Sequence, residues 1–150
     1  MRNAIYWDTS ALLKVYTAER DSSAYVRLML SHQEDIAISW LHPVEMFYAM
    51  KAKELRGEIR EGKADRLFQS FESHIEDGRY LLVPWGSDVE KESRRILQVC
   101  LQGPDPVRLR TLDGMHLGAT SAGGIRKLIT ADVRMGDAAK AAGMELVNPE

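Results

Sequence analysis

Short apolar runs alternate with amphipathic helical patterns along almost the whole chain, and this alternation is the strongest constraint on its fold. Each run has the length of a buried strand. The runs span residues 4–7, 35–39, 80–83, 127–130 and 144–147. Strands that alternate with helices indicate a mostly parallel sheet, here of about five strands, flanked by helices. We therefore predict a three-layer α/β/α fold.

The first run shows how a strand and the helix after it are specified. Ala4–Trp7 is apolar, and Asp8 ends the run abruptly. Thr9 and Ser10 then offer hydroxyl groups just before a helical pattern begins at Ala11. We interpret this stretch as a buried strand with a carboxylate at its C-terminal end, followed by a capped helix. In open parallel sheets, ligands bind at that edge.

Helical patterns fill most of the remaining chain. We predict helices after residues 21–23, from the turn at 40–43 to Gly57, between Gly62 and Gly78, over 88–101, over 112–122 and over 133–142. Asp21 and Thr111 are expected to cap two of these helices, and Pro43 to occupy a first turn. Residues 103–106 carry two prolines and form the one clear loop.

Length and composition limit the class of protein. The 150 residues are expected to form a single domain, residues 1–150, and no apolar run approaches the roughly 20 residues that span a bilayer. Cys100 is the only cysteine, and the N-terminal region turns acidic too soon for a secretory signal, so we expect a cytoplasmic protein. A net charge of −2 argues against a protein that coats nucleic acid, but not against an enzyme that grips it through metal ions.

Four acids stand where such a sheet brings residues together. Asp8 follows the first strand, Asp132 follows the fourth, and Glu45 lies early in the helix after the second. Asp113 begins the helix that leads into the fourth strand. That helix runs antiparallel to the strands and therefore starts from the edge where they end. We expect all four carboxylates to meet there.

Each acid also has a simpler interpretation. Asp8 is suited to cap the following helix, and Glu45 and Asp113 are suited to complement helix dipoles. Only their joint placement favours a site. Clustered carboxylates repel one another unless a cation lies between them, and oxygen ligands select a hard divalent ion, Mg²⁺ or Mn²⁺. Water bound to such an ion becomes nucleophilic, which suits hydrolysis of a phosphodiester.

Three segments resemble the motifs of PIN-domain ribonucleases, in particular the VapC toxins of prokaryotic toxin–antitoxin pairs. They are Tyr6–Tyr16, Arg110–Leu117 and Ile129–Met135, and residues 138–149 fit as well. The resemblance covers nearly the whole chain, although residues 55–105 match only in pattern. It departs from the usual motif at Gly114 and Gly118, where alanine is more typical and where glycine permits close approach of another backbone.

The resemblance implies roles for particular residues. The four acids fall on the family's acidic quartet, which binds Mg²⁺ or Mn²⁺ for endonucleolytic cleavage of RNA. It favours Asp8 and Asp113 as direct ligands and gives Glu45 a role through a water or as the base. Ser10 and Thr130 fall on supporting polar positions. It also implies a homodimer silenced by a cognate VapB-type antitoxin, whose tail occupies a groove beside the acids. Separately, the apolar helix faces make residues 57–78 a candidate binding segment for an antitoxin helix.

Other polar residues receive less specific interpretations. His116 lies one turn after Asp113, and we interpret it as packing under its helix with an ordinary hydrogen bond, not as a metal ligand. His42 is interpreted as a turn residue, and Cys100 as part of the core. Basic residues flanking the predicted edge fit either contact with RNA phosphates or solvated surface charge: Lys14, Arg108, Arg110 and Arg134.

Three rival functions use the same features. A receiver-type signalling domain would place a phosphate-accepting acid and Mg²⁺ at the sheet edge, but no second acid adjoins Asp8. A haloacid-type phosphatase would need an acid two residues later, where Ser10 stands. A PIN scaffold without activity would have no need to keep four acids. A metal-dependent endoribonuclease of the toxin type is therefore the leading hypothesis.

Overall fold

A computed structural model describes residues 3–149. Met1, Arg2 and Glu150, which belong to the predicted domain, lie outside the described residues. The described chain forms the strands β1 (Ala4–Trp7), β2 (Asp35–Ile38), β3 (Leu81–Leu82), β4 (Lys127–Ile129) and β5 (Glu145–Leu146). Its helices are α1 (Thr9–Tyr16), α2 (Ser22–Ser31), α3 (Leu41–Leu55), α4 (Lys63–Glu76), α5 (Ser87–Leu101), α6 (Thr111–Ala122) and α7 (Val133–Ala141).

The five strands form one parallel sheet in the order β3-β2-β1-β4-β5. β1 lies at the centre, where Tyr6 is paired with Ala37 of β2 and with Leu128 of β4. All strands therefore end at the same edge. The predicted parallel α/β sheet is confirmed.

Alternating side chains of β1 divide the core in two. Tyr6 belongs to a cluster with apolar residues of α5, α6 and α7. Trp7 belongs to a second cluster with residues of α1 to α4. Successive side chains of a strand point to opposite faces, so each cluster covers one face of the sheet. This arrangement is the predicted three-layer fold, and Cys100 lies buried in the first cluster, as expected.

The edge strands are shorter than the apolar runs that predict them. β3 and β5 are each two residues long, and each pairs with a single neighbour. Backbone hydrogen bonds from Val83 to Ile38 and from Val147 to Leu128 continue the pairing by one step beyond each ladder. Val83 is therefore buried and Val147 half-buried without either being in a strand.

Pro43 lies in the first turn of α3, as predicted, whereas two expected helix caps differ from the structure. Thr111 is the first residue of α6 and does not cap it, because Arg110 holds the cap position. Asp21 precedes α2 but makes no capping hydrogen bond, and its carboxylate instead accepts from Lys14 Nζ at 2.7 Å.

The two glycines that depart from the family motif differ in their surroundings. A Cβ on Gly118 would lie 2.8 Å from Val89 O and 2.9 Å from Ser93 N, both backbone atoms of α5. A Cβ on Gly114 would meet only Leu109 Cδ2, at an ordinary 3.5 Å. The expected close approach of another backbone is therefore present at Gly118 and absent at Gly114. At Gly118 the backbone of α5 therefore packs directly against α6.

Candidate active site

The four predicted acids line one cleft of about 480 Å³. Asp8 follows β1, Asp132 follows the adjacent β4, and Glu45 and Asp113 lie near the starts of α3 and α6. Ser10 also lines the cleft, and Thr130 binds Asp8 from behind it. The predicted convergence at the carboxyl edge of the sheet is thus what the structure shows.

Asp8 is the most buried of the four acids, with 4% of its surface exposed. Its carboxylate accepts hydrogen bonds from Ser10 Oγ at 2.7 Å, Thr130 Oγ1 at 2.5 Å and the Ala11 backbone N–H at 3.0 Å. Burial raises the pKa of Asp8 above its ordinary value, although these hydrogen bonds act to lower it. Asp8 both caps α1 and lines the cleft. Its interpretation as a helix cap is therefore compatible with its interpretation as a site residue.

The supporting hydroxyls connect the ends of β1 and β4. Ser10 Oγ accepts from the Ala131 backbone N–H at 3.1 Å, and Thr130 Oγ1 accepts from the Asp132 backbone N–H at 3.0 Å. Both hydroxyls donate to Asp8. They therefore fix the Asp8 carboxylate relative to the backbone that carries Asp132.

Asp132 caps α7. Its Oδ1 accepts from the backbone N–H groups of Arg134 and Met135, at 2.9 and 3.2 Å. The capping bonds hold one oxygen and leave Oδ2 on the side of Arg110, whose Nη2 lies 3.8 Å away. Capping thus holds one oxygen at the start of α7 while the Asp132 side chain lines the cleft.

Glu45 is held at one oxygen. Oε1 accepts from Thr9 Oγ1 at 2.9 Å and is hydrogen-bonded to Nε2 of His116. Burial alone would raise the pKa of Glu45, but the His116 contact and the Thr9 hydroxyl outweigh it, so this pKa lies below its ordinary value. Glu45 is therefore ionised at neutral pH.

His116 packs under α6 with hydrogen bonds, as expected, and one of these bonds reaches the cleft. It is buried, its Nε2 reaches a carboxylate in the cleft and its Nδ1 lies 2.7 Å from Tyr6 Oη. Tyr6 Oη is also hydrogen-bonded to Ser39 Oγ at 2.9 Å. The sequence clue to this position was the helical spacing, which puts His116 one turn from Asp113 and therefore near the cleft.

The interpretation of His42 as a turn residue is wrong. His42 is fully buried in the first turn of α3. The Ser39 backbone N–H donates to its Nδ1 at 3.0 Å, so the proton lies on Nε2, which donates to Trp7 O at 2.6 Å. Burial, together with the nearby His116, lowers the pKa of His42 to about 3, so the ring is neutral.

Arg110 places a positive charge among the acids. Its Nε donates to Asp113 Oδ2 at 3.2 Å, and its side chain is 73% exposed. Lys14 pairs with Asp21 instead, whereas Arg108 and Arg134 line an open cavity of about 1000 Å³ beside the cleft. Of the four flanking basic residues, Arg110 alone pairs with acids of the cleft within the described chain.

The carboxylate oxygens of the cleft are the kind of ligand that a hard cation prefers. Its acids offer only oxygen ligands, and the Arg110 guanidinium already stands beside two of them as a cation. Within residues 3–149, no three His, Cys, Asp or Glu side chains are close enough together to form a ready-made metal site. The described residues thus fit Mg²⁺ or Mn²⁺ in chemistry, and binding requires their side chains to draw together.

One wall of the cleft is apolar and open to solvent. Val44 and Tyr48 of α3 are 62% and 73% exposed, and Leu112 of α6 lies opposite them. Leu13 and Ala49 complete this wall. The cleft therefore combines acidic side chains with an exposed apolar surface.

Comparison with known proteins places the chain in a family. No family model matches it. It is 30% identical over 148 residues to Ribonuclease VapC46 of Mycobacterium tuberculosis, a match that covers 97% of this chain and 98% of that protein. The chain belongs to the VapC family of PIN-domain ribonucleases. This VapC protein is therefore not a receiver domain or a haloacid-type phosphatase.

Solved structures support the fold of this VapC protein. It resembles a structure of FitAB bound to the IR36 DNA fragment, with a TM-score of 0.71, 19% identity, and 97% and 94% of the two chains covered. VapC20 of M. tuberculosis, described as a toxin that cleaves the sarcin–ricin loop, gives a TM-score of 0.64, 18% identity and coverages of 97% and 99%. The structure of VapBC2 from Rickettsia felis bound to promoter DNA gives a TM-score of 0.66 and 14% identity. This match covers 98% of this chain and 99% of that chain.

Proposed function

We propose that this VapC protein is a Mg²⁺- or Mn²⁺-dependent endoribonuclease that hydrolyses RNA phosphodiester bonds, the toxin of a type II toxin–antitoxin pair. The observation that carries the proposal is the meeting of Asp8, Glu45, Asp113 and Asp132 in one cleft. The relative VapC46 is named a ribonuclease, and the structurally similar VapC20 is described as a toxin that cleaves the sarcin–ricin loop. An inactive PIN scaffold would use the same fold, and the experiment below separates the two.

The four acids would hold the metal. Asp8 and Asp113 are proposed as direct ligands, with Asp132 and Glu45 completing the set directly or through water. When bound, a divalent ion neutralises phosphodiester oxygens and lowers the pKa of a bound water. Ser10 and Thr130 keep the Asp8 carboxylate in place by donating to it.

Glu45 is proposed as the base. Thr9 and His116 hold its Oε1, and within residues 3–149 no hydrogen bond engages its Oε2. Oε2 is therefore available to accept a proton from the attacking water. Because Glu45 is ionised at neutral pH, it is in the correct state to do so.

We also propose protein partners for this chain. A VapB-type antitoxin is expected to cover the apolar residues of the cleft and to bind through a helix at the apolar stretch 57–78. The active form is proposed to be a homodimer of single-domain chains, residues 1–150, in the cytoplasm. Within residues 3–149, no helix has the length and hydropathy needed to cross a membrane.

The proposal is tested with purified protein freed of any antitoxin. Total cellular RNA is incubated with the protein in Mg²⁺, in Mn²⁺ or in EDTA, and cut sites are mapped by primer extension. We expect discrete fragments that need metal and that disappear in Asp8→Asn. Asn keeps the helix cap but cannot serve as an anionic ligand, so its fold should survive.

A matched control replaces an acid outside the cleft. Asp77→Asn lies at the end of α4 on the surface and should cleave RNA like the wild type. Thermal unfolding of both variants verifies that they fold. Metal-independent cleavage, or undiminished cleavage by folded Asp8→Asn, would contradict the proposed mechanism, and no cleavage by the folded wild type would favour the inactive scaffold.

A further inference from the structure

We propose that His116 is a positioning residue, which holds the Glu45 carboxylate in its working orientation and is itself held by Tyr6 and Ser39. The inference rests on the proposed function, because it assigns a task to a residue behind the base. It adds three residues to the site that lie beneath the four acids.

The first step is the link between His116 and Glu45. A carboxylate accepts hydrogen bonds and does not donate them, so Nε2 of His116 carries the proton in this contact. Thr9 donates to the same oxygen from the opposite element, α1. Two donors on Oε1 hold the carboxylate in place, and within residues 3–149 they leave Oε2 without a hydrogen bond.

The second step is the anchoring of the ring itself. His116 is 2% exposed, and Tyr6 and Ser39 are fully buried. Tyr6 Oη contacts both His116 Nδ1 at 2.7 Å and Ser39 Oγ at 2.9 Å. Tyr6 belongs to the central strand β1, so the chain Ser39–Tyr6–His116–Glu45 runs from the rigid sheet to the cleft. A buried ring with both nitrogens engaged has one orientation.

The third step is the contrast with His42. Both ring nitrogens of His42 bond to backbone groups, Ser39 N–H and Trp7 O, so this residue satisfies the main chain of the core. One ring nitrogen of His116 instead bonds to the side chain of Glu45, whose carboxylate lines the cleft. The two buried histidines lie with their ring centroids 5.0 Å apart, yet only His116 leads into the site.

The experiment compares three substitutions by steady-state cleavage of an RNA oligonucleotide that contains a mapped site. His116→Leu removes the donor to Glu45, Tyr6→Phe removes only the hydroxyl that holds the ring, and His116→Gln restores one side-chain N–H. Partners that orient a functional carboxylate change activity or metal affinity by about 10- to 100-fold when lost. We expect kcat to fall within that range in His116→Leu, by less in Tyr6→Phe, and to recover in part in His116→Gln, with KM unchanged.

A matched control is provided by a second tyrosine–histidine contact. Tyr16 Oη lies 2.5 Å from His74 Nδ1 and 2.5 Å from Tyr80 Oη, in the core cluster that covers the other face of the sheet. Tyr16→Phe removes a comparable hydroxyl and should lower the melting temperature while leaving kcat unchanged. If Tyr16→Phe and Tyr6→Phe lower kcat equally, or if folded His116→Leu cleaves like the wild type, the positioning role is overturned.

Binding of Mn²⁺ alone separates this inference from the proposed function. Free Mn²⁺ is titrated by electron paramagnetic resonance against each folded variant in the absence of RNA. Weaker binding by His116→Leu than by Tyr16→Phe supports the positioning role even if the wild-type protein cleaves no RNA. Cleavage by the wild type, together with equal Mn²⁺ affinity and equal kcat in His116→Leu, overturns the positioning role and leaves the nuclease intact.

Discussion

Arg110 is the residue whose charge most directly affects the cleft. Its guanidinium pairs with Asp113 at 3.2 Å and stands 3.8 Å from Asp132, so it competes with any metal ion for these two carboxylates. Its side chain is 73% exposed, and exposed ion pairs contribute little, so the competition is weak.

Arg110→Ala is therefore expected to bind Mn²⁺ more tightly, by no more than about fivefold, because an exposed ion pair is weak. Isothermal titration with Mn²⁺ measures the change. Arg108→Ala, two residues away and also exposed, serves as the control and should bind like the wild type. Equal affinities in the two variants would contradict the competition.

The acids could be predicted from the sequence because their positions follow from local pattern. Asp8 stops an apolar strand and Asp132 follows another, and parallel strands end together. The role of His116 could not be predicted, because its partner Tyr6 lies 110 positions away and the contact depends on which strands are neighbours. His42 was misread for the same reason, since its partner Trp7 is 35 positions away.

At the scale of elements, the packing of α5 on α6 depends on one glycine. Gly118 has two backbone atoms of α5 within 3 Å of where a Cβ would stand, whereas Gly114 has only a leucine side chain at contact distance. Both residues are helical, so the two positions differ in space but not in backbone conformation.

Alanine is expected to have opposite effects at these two positions. Gly118→Ala should destabilise the protein by about 1–3 kcal/mol, because backbone cannot yield as a side chain can. Gly114→Ala should stabilise it by up to about 1 kcal/mol, because alanine favours the helix. Urea unfolding followed by circular dichroism gives both values. A stable Gly118→Ala would show that α5 can withdraw from α6 at little cost.

The lengths of the edge strands could not be predicted from the sequence. The runs 80–83 and 144–147 carry the apolar pattern of strands, but β3 and β5 lie at the edges of the sheet. An edge strand has one neighbour, and its ladder ends where that neighbour turns away. Hydrophobicity predicts burial of these residues but not how many of them pair.

At the scale of the whole molecule, an ion pair braces the sheet at the end opposite the acids. Lys127 Nζ, at the start of β4, lies 3.0 Å from Glu34 Oε1, just before β2, and β1 lies between those strands. Glu34 also contacts His32 at 3.0 Å. The hydrogen bonds from Lys127 and His32 lower the pKa of Glu34 to about 2.

A pKa lowered by folding gives stability that is present above the unfolded pKa and is lost as the pH falls towards 2. Glu34→Gln should therefore be less stable than the wild type at pH 7, by at most about 1 kcal/mol, since the pair is near the surface. The difference should shrink below about pH 4, where free glutamate is protonated. Urea unfolding at several pH values measures it, with the exposed Glu72→Gln as control. A difference that is independent of pH would contradict this assignment.

The central place of β1 has a consequence for the order in which the protein is made. β1 is synthesised first, yet its neighbour β4 comes late, and Thr130 meets Asp8 across 122 positions of chain. Contacts between such distant parts form only after the intervening chain is available. A growing polypeptide on the ribosome cannot complete the cleft until Asp132 has emerged. For a nuclease directed at RNA, the four acids that we propose as metal ligands therefore come together only after translation has passed β4.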